Sequence, residues 1–369
     1  MLKKKKLICL FILLLIVIGG VFAKVTIFNR NNFTSKEINN LISDMGLGWN
    51  LGNSLLCINA KEGFTNDKYY ETSWGNPVVT KELINSVKKA GFKSIRIPVT
   101  YYNHVDKNGK IDEKWLDRVQ EVVDFVIEND MYCIINIHHD TGENRWINAD
   151  PDKFDEMSER LRNLWEQISK KFKNYDEKKL IFEGFNEILS ENKWENAGVE
   201  AYETVNKLNQ VFVDTVRNTG EKNASRVLIV NTYGAKLEED VISNFKLPKD
   251  SVKNKLIVGM HLYTTKDYID SYMKRVKKYF IDKNIPVIIA EFAMANEKNC
   301  ANEKERIEYV TKLLTEASKL NIACYWWDDG NIENNKNNVT NLALFNRKTY
   351  EEYFPELIDK MTGIVNSKN

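Results

Sequence analysis

Along most of the chain, short aliphatic or β-branched runs alternate with longer stretches in which apolar residues recur every three or four positions. The short runs are GLGWNLGN from residue 46, KSIRIPV from 93, MYCIINIHH from 131, KLIFEGFNE from 179, RVLIVNT from 226, LIVGMHLY from 256, PVIIAEF from 286 and IACYWWD from 322. Their length and composition read as buried strands. Between them lie helical patterns at Thr80 to Ala90, Glu113 to Glu128, Phe154 to Phe172, Ala201 to Arg217, Asp267 to Phe280 and Glu303 to Leu320. Thr80 and Asp112 stand where N-caps belong, since their side-chain oxygens satisfy free N–H groups of a first turn. Strict alternation of this kind predicts an α/β fold, a single (β/α)₈ TIM barrel. An open, doubly wound sheet would place a glycine-rich phosphate turn after its first strand, and NLGNSL at 50–55 is not G-x-G-x-x-G.

The first residues break the pattern. Lys3 to Lys6 form a positive block and Leu7 to Val17 an apolar run, followed by Val21-Phe22-Ala23. That layout is a secretory signal over 1–23, which leaves 24–369 as one catalytic-size barrel and makes the protein secreted; an uncleaved, cell-surface anchor is the alternative. The run is shorter than the ~20 apolar residues of a spanning helix, and no lasting membrane partner is expected after cleavage. Lys and Arg number 53 against 52 Asp and Glu, interleaved rather than blocked, so neither nucleic acid nor a membrane surface is expected as partner. A monomer is expected. Cys9 falls in the signal, and Cys57, Cys133, Cys300 and Cys324 lack metal-ligand spacing. Cys133 and Cys324 read as buried thiols; a Cys57–Cys300 disulfide stays open. Sequons begin at Asn32, Asn223 and Asn338.

In a TIM barrel the chemistry sits at the C-terminal ends of the strands. Standing there are Asn53, Arg96, His138 with His139, Asn186 with Glu187, His261 with Tyr263, Glu291 and Trp327. Any one of these has a plain structural explanation, a helix cap or a buried ion pair. Their joint occurrence at nearly every strand end does not, because charge buried without a partner is costly. Strand alternation places Glu187 on one face with Phe185 and Glu183, and His261 with Tyr263. Glu183 reads as too deep to reach a substrate and as a structural, paired residue.

Two carboxylates at one mouth suit glycoside cleavage, in which one donates a proton to the leaving oxygen and the other attacks the anomeric carbon. Arg96 and Tyr263 are expected to keep Glu291 ionised, and Glu187, with less cationic support, to keep its proton to higher pH. Metal chemistry is the main rival. The chain has four histidines, and His138 and His139, as neighbours on a strand, are expected to point apart, so no metal is expected. A G-x-S-x-G elbow and a basic stripe are both missing. Trp327, Trp74 and Trp146 are the tryptophans expected in a cleft, where sugar rings stack on indoles.

These strand-end residues resemble those of glycoside hydrolase family 5, and within it the endo-β-1,4-glucanases of the fourth subfamily. The resemblance runs from about Met45 onward and is carried by GWNLGN, YETSWGNP, GFKSIRIPVTY, WLDRVQEVVDFVIENDMYCIINIHHD, FEGFNEI, HLYT, PVIIAEF and YWWDDGN. It implies a retaining endoglucanase without metal or organic cofactor, acting on cellulose-type, mixed-linkage or xyloglucan chains. Glu187 is then the acid/base and Glu291 the nucleophile. Arg96 and Tyr263 support Glu291, Asn186 binds the sugar 2-hydroxyl, and His138, His261 and Trp327 complete the shell, with Asn53 and His139 nearby. The same mechanism acting on β-mannan or xylan is the alternative, and a non-catalytic carbohydrate-binding barrel a remote one. Departures from the family pattern are Ile188 for Pro, Ala290 and Ala293 for Gly, Asp329 for Asn and Asn346 for Asp. Ala293 is thereby expected in a backbone conformation that Gly prefers.

Overall fold

The computed structural model describes residues 32–58, 67–141, 145–191, 193–294, 303–330 and 342–367. The proposed signal segment, Cys300 and Asn338 lie outside them. Helix α1 (Ser35–Met45) leads into strand β1 (Leu47–Leu51), and α2 (Asp67–Thr72) and α3 (Lys81–Lys89) lead to β2 (Ser94–Ile97). Then α4 (Glu113–Glu128), β3 (Tyr132–Asn136), α5 (Phe154–Lys171), β4 (Leu180–Glu183), α6 (Val199–Asn218) and β5 (Leu228–Asn231) follow in turn. The chain continues through α7 (Glu239–Asn244), β6 (Leu256–Thr264), α8 (Ile269–Tyr279), β7 (Val287–Met294), α9 (Glu303–Lys319), β8 (Ala323–Asp328) and α10 (Pro355–Asn366). The strands pair in sequence order as a closed parallel barrel, β8 returning to β1. Each strand is the apolar run that the sequence pattern picks out. Thr80 and Asp112 cap α3 and α4 through their side chains.

Side-chain alternation divides the barrel. Ile95, Ile97, Cys133, Ile135, Leu180, Phe182, Val258 and Trp326 face outward into the apolar layer under the helices. Ile134, Ile181, Ile229, Ile257, Ile288 and Tyr325 face inward. The floor of the interior is closed by α1, a helix the strand and helix patterns do not include, through Phe33, Ile38, Leu41, Ile42 and Met45. Its start is fixed by a capping box between Thr34 and Glu37. Above the aliphatic layer the inward positions turn polar: Asn50, Arg96, Asn136, Glu183 and Asn231, all fully or almost fully buried.

Strand β7 breaks the alternation once. Met260 pairs with Ile289 but His261 pairs with Glu291, and on the other side Ile289 pairs with Cys324 but Phe292 with Trp326. One extra residue is therefore held in β7, a bulge that re-aims the side chains beyond it. Ile289 and Phe292 both pack outward, with Ala290 and Glu291 turned inward between them. Ala293 is not in the left-handed region expected of it; it lies in β7, buried.

Cys133 and Cys324 are free buried thiols, and so is Cys57. Asn223 is fully buried and donates to the Ser169 carbonyl at 2.8 Å, so its sequon is closed to modification in the folded chain. Among the described residues no helix is long and apolar enough to cross a membrane.

Gly48 tests the packing of the barrel floor. A Cβ there would stand 2.1 Å from the Tyr325 ring, which fills the interior above it. Gly48→Ala is expected to cost about 1–3 kcal/mol, the usual range for overpacking, measured by urea unfolding with Gly363→Ala as control, an exposed position of α10 where a Cβ meets nothing within 4 Å. An unchanged midpoint would show that the ring has room to move.

Candidate active site

The mouth of the barrel is organised around Arg96, fully buried at the inward position of β2. Its Nε and Nη2 donate to the two Glu183 oxygens at 2.5 and 3.1 Å. Nη1 reaches Glu291 at 2.6 Å and the Asn50 side-chain oxygen at 3.0 Å, and Nη2 also reaches the Asn186 side-chain oxygen at 3.1 Å. Burial alone would lower the guanidinium pKa; the charges of Glu183 and Glu291 outweigh it and raise it. Glu183 accepts a further bond from Asn231 at 2.8 Å. Asn50 donates across the barrel to the carbonyl of the bulge residue Ala290 at 2.9 Å, tying the network to the strand that carries Glu291.

Glu291 and Glu187 face each other with different partners. The Tyr263 hydroxyl donates to the second Glu291 oxygen at 2.8 Å. His261 Nδ1 lies 2.6 Å from Glu187 and 3.5 Å from Glu291. Carboxylate oxygens of the two glutamates and a ring nitrogen of His261 all lie within 4.8 Å of one another. Burial, which would lower the His261 pKa, is outweighed by Glu291 and Glu187, and the imidazole is raised. The Tyr263 ring is partly exposed, but its hydroxyl end is desolvated against Glu291, and that desolvation with the charges of Glu291 and Glu187 pushes the phenol well up. A carboxylate held by a cation and a hydroxyl, opposite a second one held by an imidazole, can present one oxygen for attack and another for proton transfer across a single bond.

The remaining predicted residues ring this pair. His138 is buried beside Asn136 and stacks on Trp327, with centroids 5.8 Å apart and planes 8° from parallel. Burial, then the nearby positive groups, lowers its pKa well below the ordinary value. His139 is lowered to about 4, chiefly by burial, and its ring lies 5.5 Å from the exposed indole of Trp74. The two histidines do not point apart as a strand would require. β3 ends at Asn136, and their rings lie 4.7 Å from each other. Nor does Glu187 share a face with Phe185 and Glu183. β4 ends at Glu183, after which Phe185 packs in the outer apolar layer and Glu187 stands half-buried at the mouth. Asn53 takes a left-handed turn after β1, with φ of 49°, and its carbonyl accepts from Asn76 at 2.8 Å; the residue of that segment that touches Arg96 is Asn50.

Sequence reasoning did not single out Asn50, Asn231, Asp328 or Arg347. The first two carry a legible signal: each is a polar side chain in an apolar run, in the same pleat phase as the charged interior. Asp328 is fully buried, accepts from the Trp49 indole at 2.9 Å and pairs with Arg347 at 2.9 Å. Arg347 also donates to the Gly52 carbonyl at 2.7 Å, so the pair locks the exits of β1 and β8 around Trp327. Nothing local to Arg347 announces that contact.

The model for the cellulase family, glycosyl hydrolase family 5, matches residues 58–333. Endoglucanase A of Clostridium longisporum is 37% identical over 355 residues, a match covering 88% of this chain and 65% of that protein. This chain thus spans just under two thirds of that relative. Among solved structures, a broad-specificity endoglucanase of the fourth subfamily from Ruminococcus champanellensis, with bound cellotriose, aligns with a TM-score of 0.81 at 37% identity, over 88% of this chain and 97% of that one. A xyloglucan-specific endo-β-1,4-glucanase from a metagenomic library, in complex with cellotriose, aligns with a TM-score of 0.81 at 32% identity, over 89% and 99%.

Asp140 links two rim loops. Its carboxylate is fully buried and accepts from the Tyr101 N–H at 2.8 Å and the Trp146 indole at 3.0 Å. Burial pushes it up to about 7 despite those donors. Because the folded pKa exceeds the ordinary ~3.9, this group's contribution to stability is complete below about pH 4 and is lost as pH rises through about 7. The stability advantage of wild type over Asp140→Asn is therefore expected to shrink across that window and to level above it, in urea titrations at a series of pH values. A constant difference would mean that Asp140 is ionised throughout.

Proposed function

The chain belongs to the cellulase family, glycosyl hydrolase family 5, and we propose that it is a secreted, retaining endo-β-1,4-glucanase acting on cellulose-type, mixed-linkage or xyloglucan chains. The observation that carries this reading is the facing pair Glu187 and Glu291, close enough to share one bond and differently supported. Their oxygens lie within the ~5 Å separation of retaining enzymes, too close to seat a water molecule between them as inversion requires.

In the first step Glu291 attacks the anomeric carbon while Glu187 passes its proton to the glycosidic oxygen, and that oxygen departs with the leaving sugar. Glu291 is then esterified to the remaining chain. In the second step Glu187, now a carboxylate, takes a proton from water as the water oxygen attacks the same carbon, and Glu291 is released. Two inversions leave the configuration retained. Arg96 and Tyr263 hold the attacking carboxylate in place before charge moves, and His261 steadies Glu187. Asn186, fixed through its side-chain oxygen on Arg96, keeps its amide N–H groups for a sugar hydroxyl. Trp327, backed by His138, offers the flat face for the sugar at the point of cleavage. The glutamates and His261 also have the composition of a cation site, but the Arg96 guanidinium 2.6 Å from Glu291 and an imidazole that gains its proton readily both repel a metal ion.

The substrate class draws support from relatives named endoglucanase and xyloglucan-specific endo-β-1,4-glucanase, and from cellotriose in two of the similar structures. Secretion rests on the charged and apolar N-terminal segment.

Glu291→Ala is expected to lower turnover by roughly 10⁴-fold or more, with azide restoring activity on an aryl glycoside and giving the inverted azide product. Near-normal activity of this variant would remove Glu291 from the mechanism. Glu187→Ala should lose about 10²–10⁴-fold on polysaccharide and far less on aryl glycosides, whose leaving groups need little protonation; equal losses would contradict the acid role. Reducing-end release on carboxymethylcellulose, barley β-glucan, xyloglucan, mannan and xylan assigns the substrate, and a profile led by mannan or xylan would keep the mechanism and replace the glucan.

A further inference from the structure

Asn50 stands at an inward position of β1, fully buried, level with Arg96 on β2 and Trp327 on β8. Among the described residues it hydrogen-bonds neither Glu187 nor Glu291. Its side-chain oxygen accepts from Arg96 at 3.0 Å, and its amide nitrogen lies 2.9 Å from the Ala290 carbonyl and 3.3 Å from those of Tyr325 and Trp326. The partners permit only this orientation, because a guanidinium donates and a carbonyl accepts. Turned over, the amide would set its N–H groups against Arg96 and its oxygen against three carbonyls.

The Ala290 end of this contact falls on the irregular step of β7. From Met260 to His261 on β6 is one step, and opposite it β7 takes two, from Ile289 to Glu291. From Cys324 to Trp326 on β8 is two steps, and β7 takes three, from Ile289 to Phe292. Both neighbouring strands therefore slip against β7 at the same place, and the phase changes at the peptide that leads from Ala290 into Glu291. An even ladder would pair His261 with Ala290 and turn Glu291 toward the helices, a slip of one residue that removes the carboxylate from the mouth. In a planar trans peptide the carbonyl oxygen and the next N–H point opposite ways. An Ala290 carbonyl held inward on Asn50 thus sets the plane from which Glu291 departs.

We propose that Asn50 is a positioning residue for the nucleophile: by holding the Ala290 carbonyl inward it fixes the bulge of β7, and with it the facing of Glu291 toward the anomeric carbon. The assignment rests on the endoglucanase reading above, in which Glu291 is the attacking group. Arg96 and Tyr263 hold the Glu291 carboxylate by its oxygens, whereas Asn50 acts on the backbone that carries it. The same amide braces Arg96, so the carboxylate and its cation are both referred to one side chain. Asparagine suits the place because it joins one acceptor to two donors on a short stem. Leucine has the bulk without either, and ionised aspartate cannot donate. A misplacement of about 1 Å can cost about 10²-fold in rate, which is the penalty such an anchor prevents.

The test uses the purified full chain and 2,4-dinitrophenyl 2-deoxy-2-fluoro-β-cellobioside, whose leaving group needs little protonation and whose sugar stays on the nucleophile as a slowly hydrolysed ester. Mass spectrometry of the labelled peptide locates the ester, and the time course separates a binding constant from a rate of attack. Asn50→Leu is expected to slow the attack by about 10–100-fold with the binding constant changed less than about threefold, since Asn50 meets no sugar. Asn50→Ser, smaller and with space for a water, carries the same expectation where the leucine variant does not fold. Leu161→Ala, a truncation on the buried side of α5 away from β7, lowers stability alone and should attack at the wild-type rate. A wild-type rate of attack in the Asn50 variants would overturn the assignment, as would a weakened binding constant that accounts for the whole loss, or an equal loss in Leu161→Ala. A wild-type protein that takes up no label, or takes it elsewhere than on Glu291, would instead fail the reading on which this inference rests.

Discussion

A guanidinium with no contact to water is the constraint on which this structure depends. Arg96 has five N–H donors and five acceptor contacts: two oxygens of Glu183 and one each from Glu291, Asn50 and Asn186. Removing water from a cation costs several kcal/mol, and that cost is offset only if opposite charge and a full set of hydrogen bonds take its place. Glu183 supplies charge that no substrate needs, and it does so bidentately. Glu291 can then share the same cation while keeping an oxygen turned to the mouth. A lone Arg96–Glu291 pair would tie the cation's position to the group that has to react; the second carboxylate separates those tasks.

The backbone contributes through a single irregularity. In an unbroken β7 with Ile288 inward, Glu291 would face the helices. The extra residue at Ala290 shifts the phase, so that Phe292, which would otherwise face inward, packs outward against Trp326 with centroids 5.4 Å apart, while Glu291 faces Arg96. The bulge leaves a carbonyl without a ladder partner, and the Asn50 amide takes it. Asn50 also meets Arg96. One side chain thereby couples the position of the cation to the shape of the strand opposite it.

This explains which parts were legible in the sequence. Strands and long helices follow from the apolar periods, and the inward phase of β2 and β6 carries Arg96 and His261 to the interior where they lie. Alternation fails where the strand has already ended, at Glu187 and at the His138–His139 pair, and period counting cannot locate that end. Glu291 was identified by its residue type and its place at a strand end, although its facing depends on a bulge that no local pattern shows. Helices such as α1, α2 and α7 leave no such trace, because they are stabilised by what they cover rather than by a long amphipathic repeat. Arg347 reaches Asp328 and Gly52 from a distant segment, so only the tertiary structure reveals it.

The histidines show how far the same charges can separate like groups. His138 and His261 are both buried in one mouth, and burial pulls both toward the neutral form. His261 faces Glu187 and Glu291, whose charges reverse that pull. Among the described residues His138 faces no carboxylate; its neighbours His139, Arg96 and His261 each disfavour a further positive charge beside them. The consequence is a division by position: an imidazole drawn toward its charged form beside the two carboxylates, and one drawn toward its neutral form behind Trp327. An uncharged ring can back the indole closely without bringing a further cation beside Arg96. Exchanging their surroundings would exchange their roles, because the residue type supplies only the capacity to hold a proton and the neighbouring charges decide whether it does.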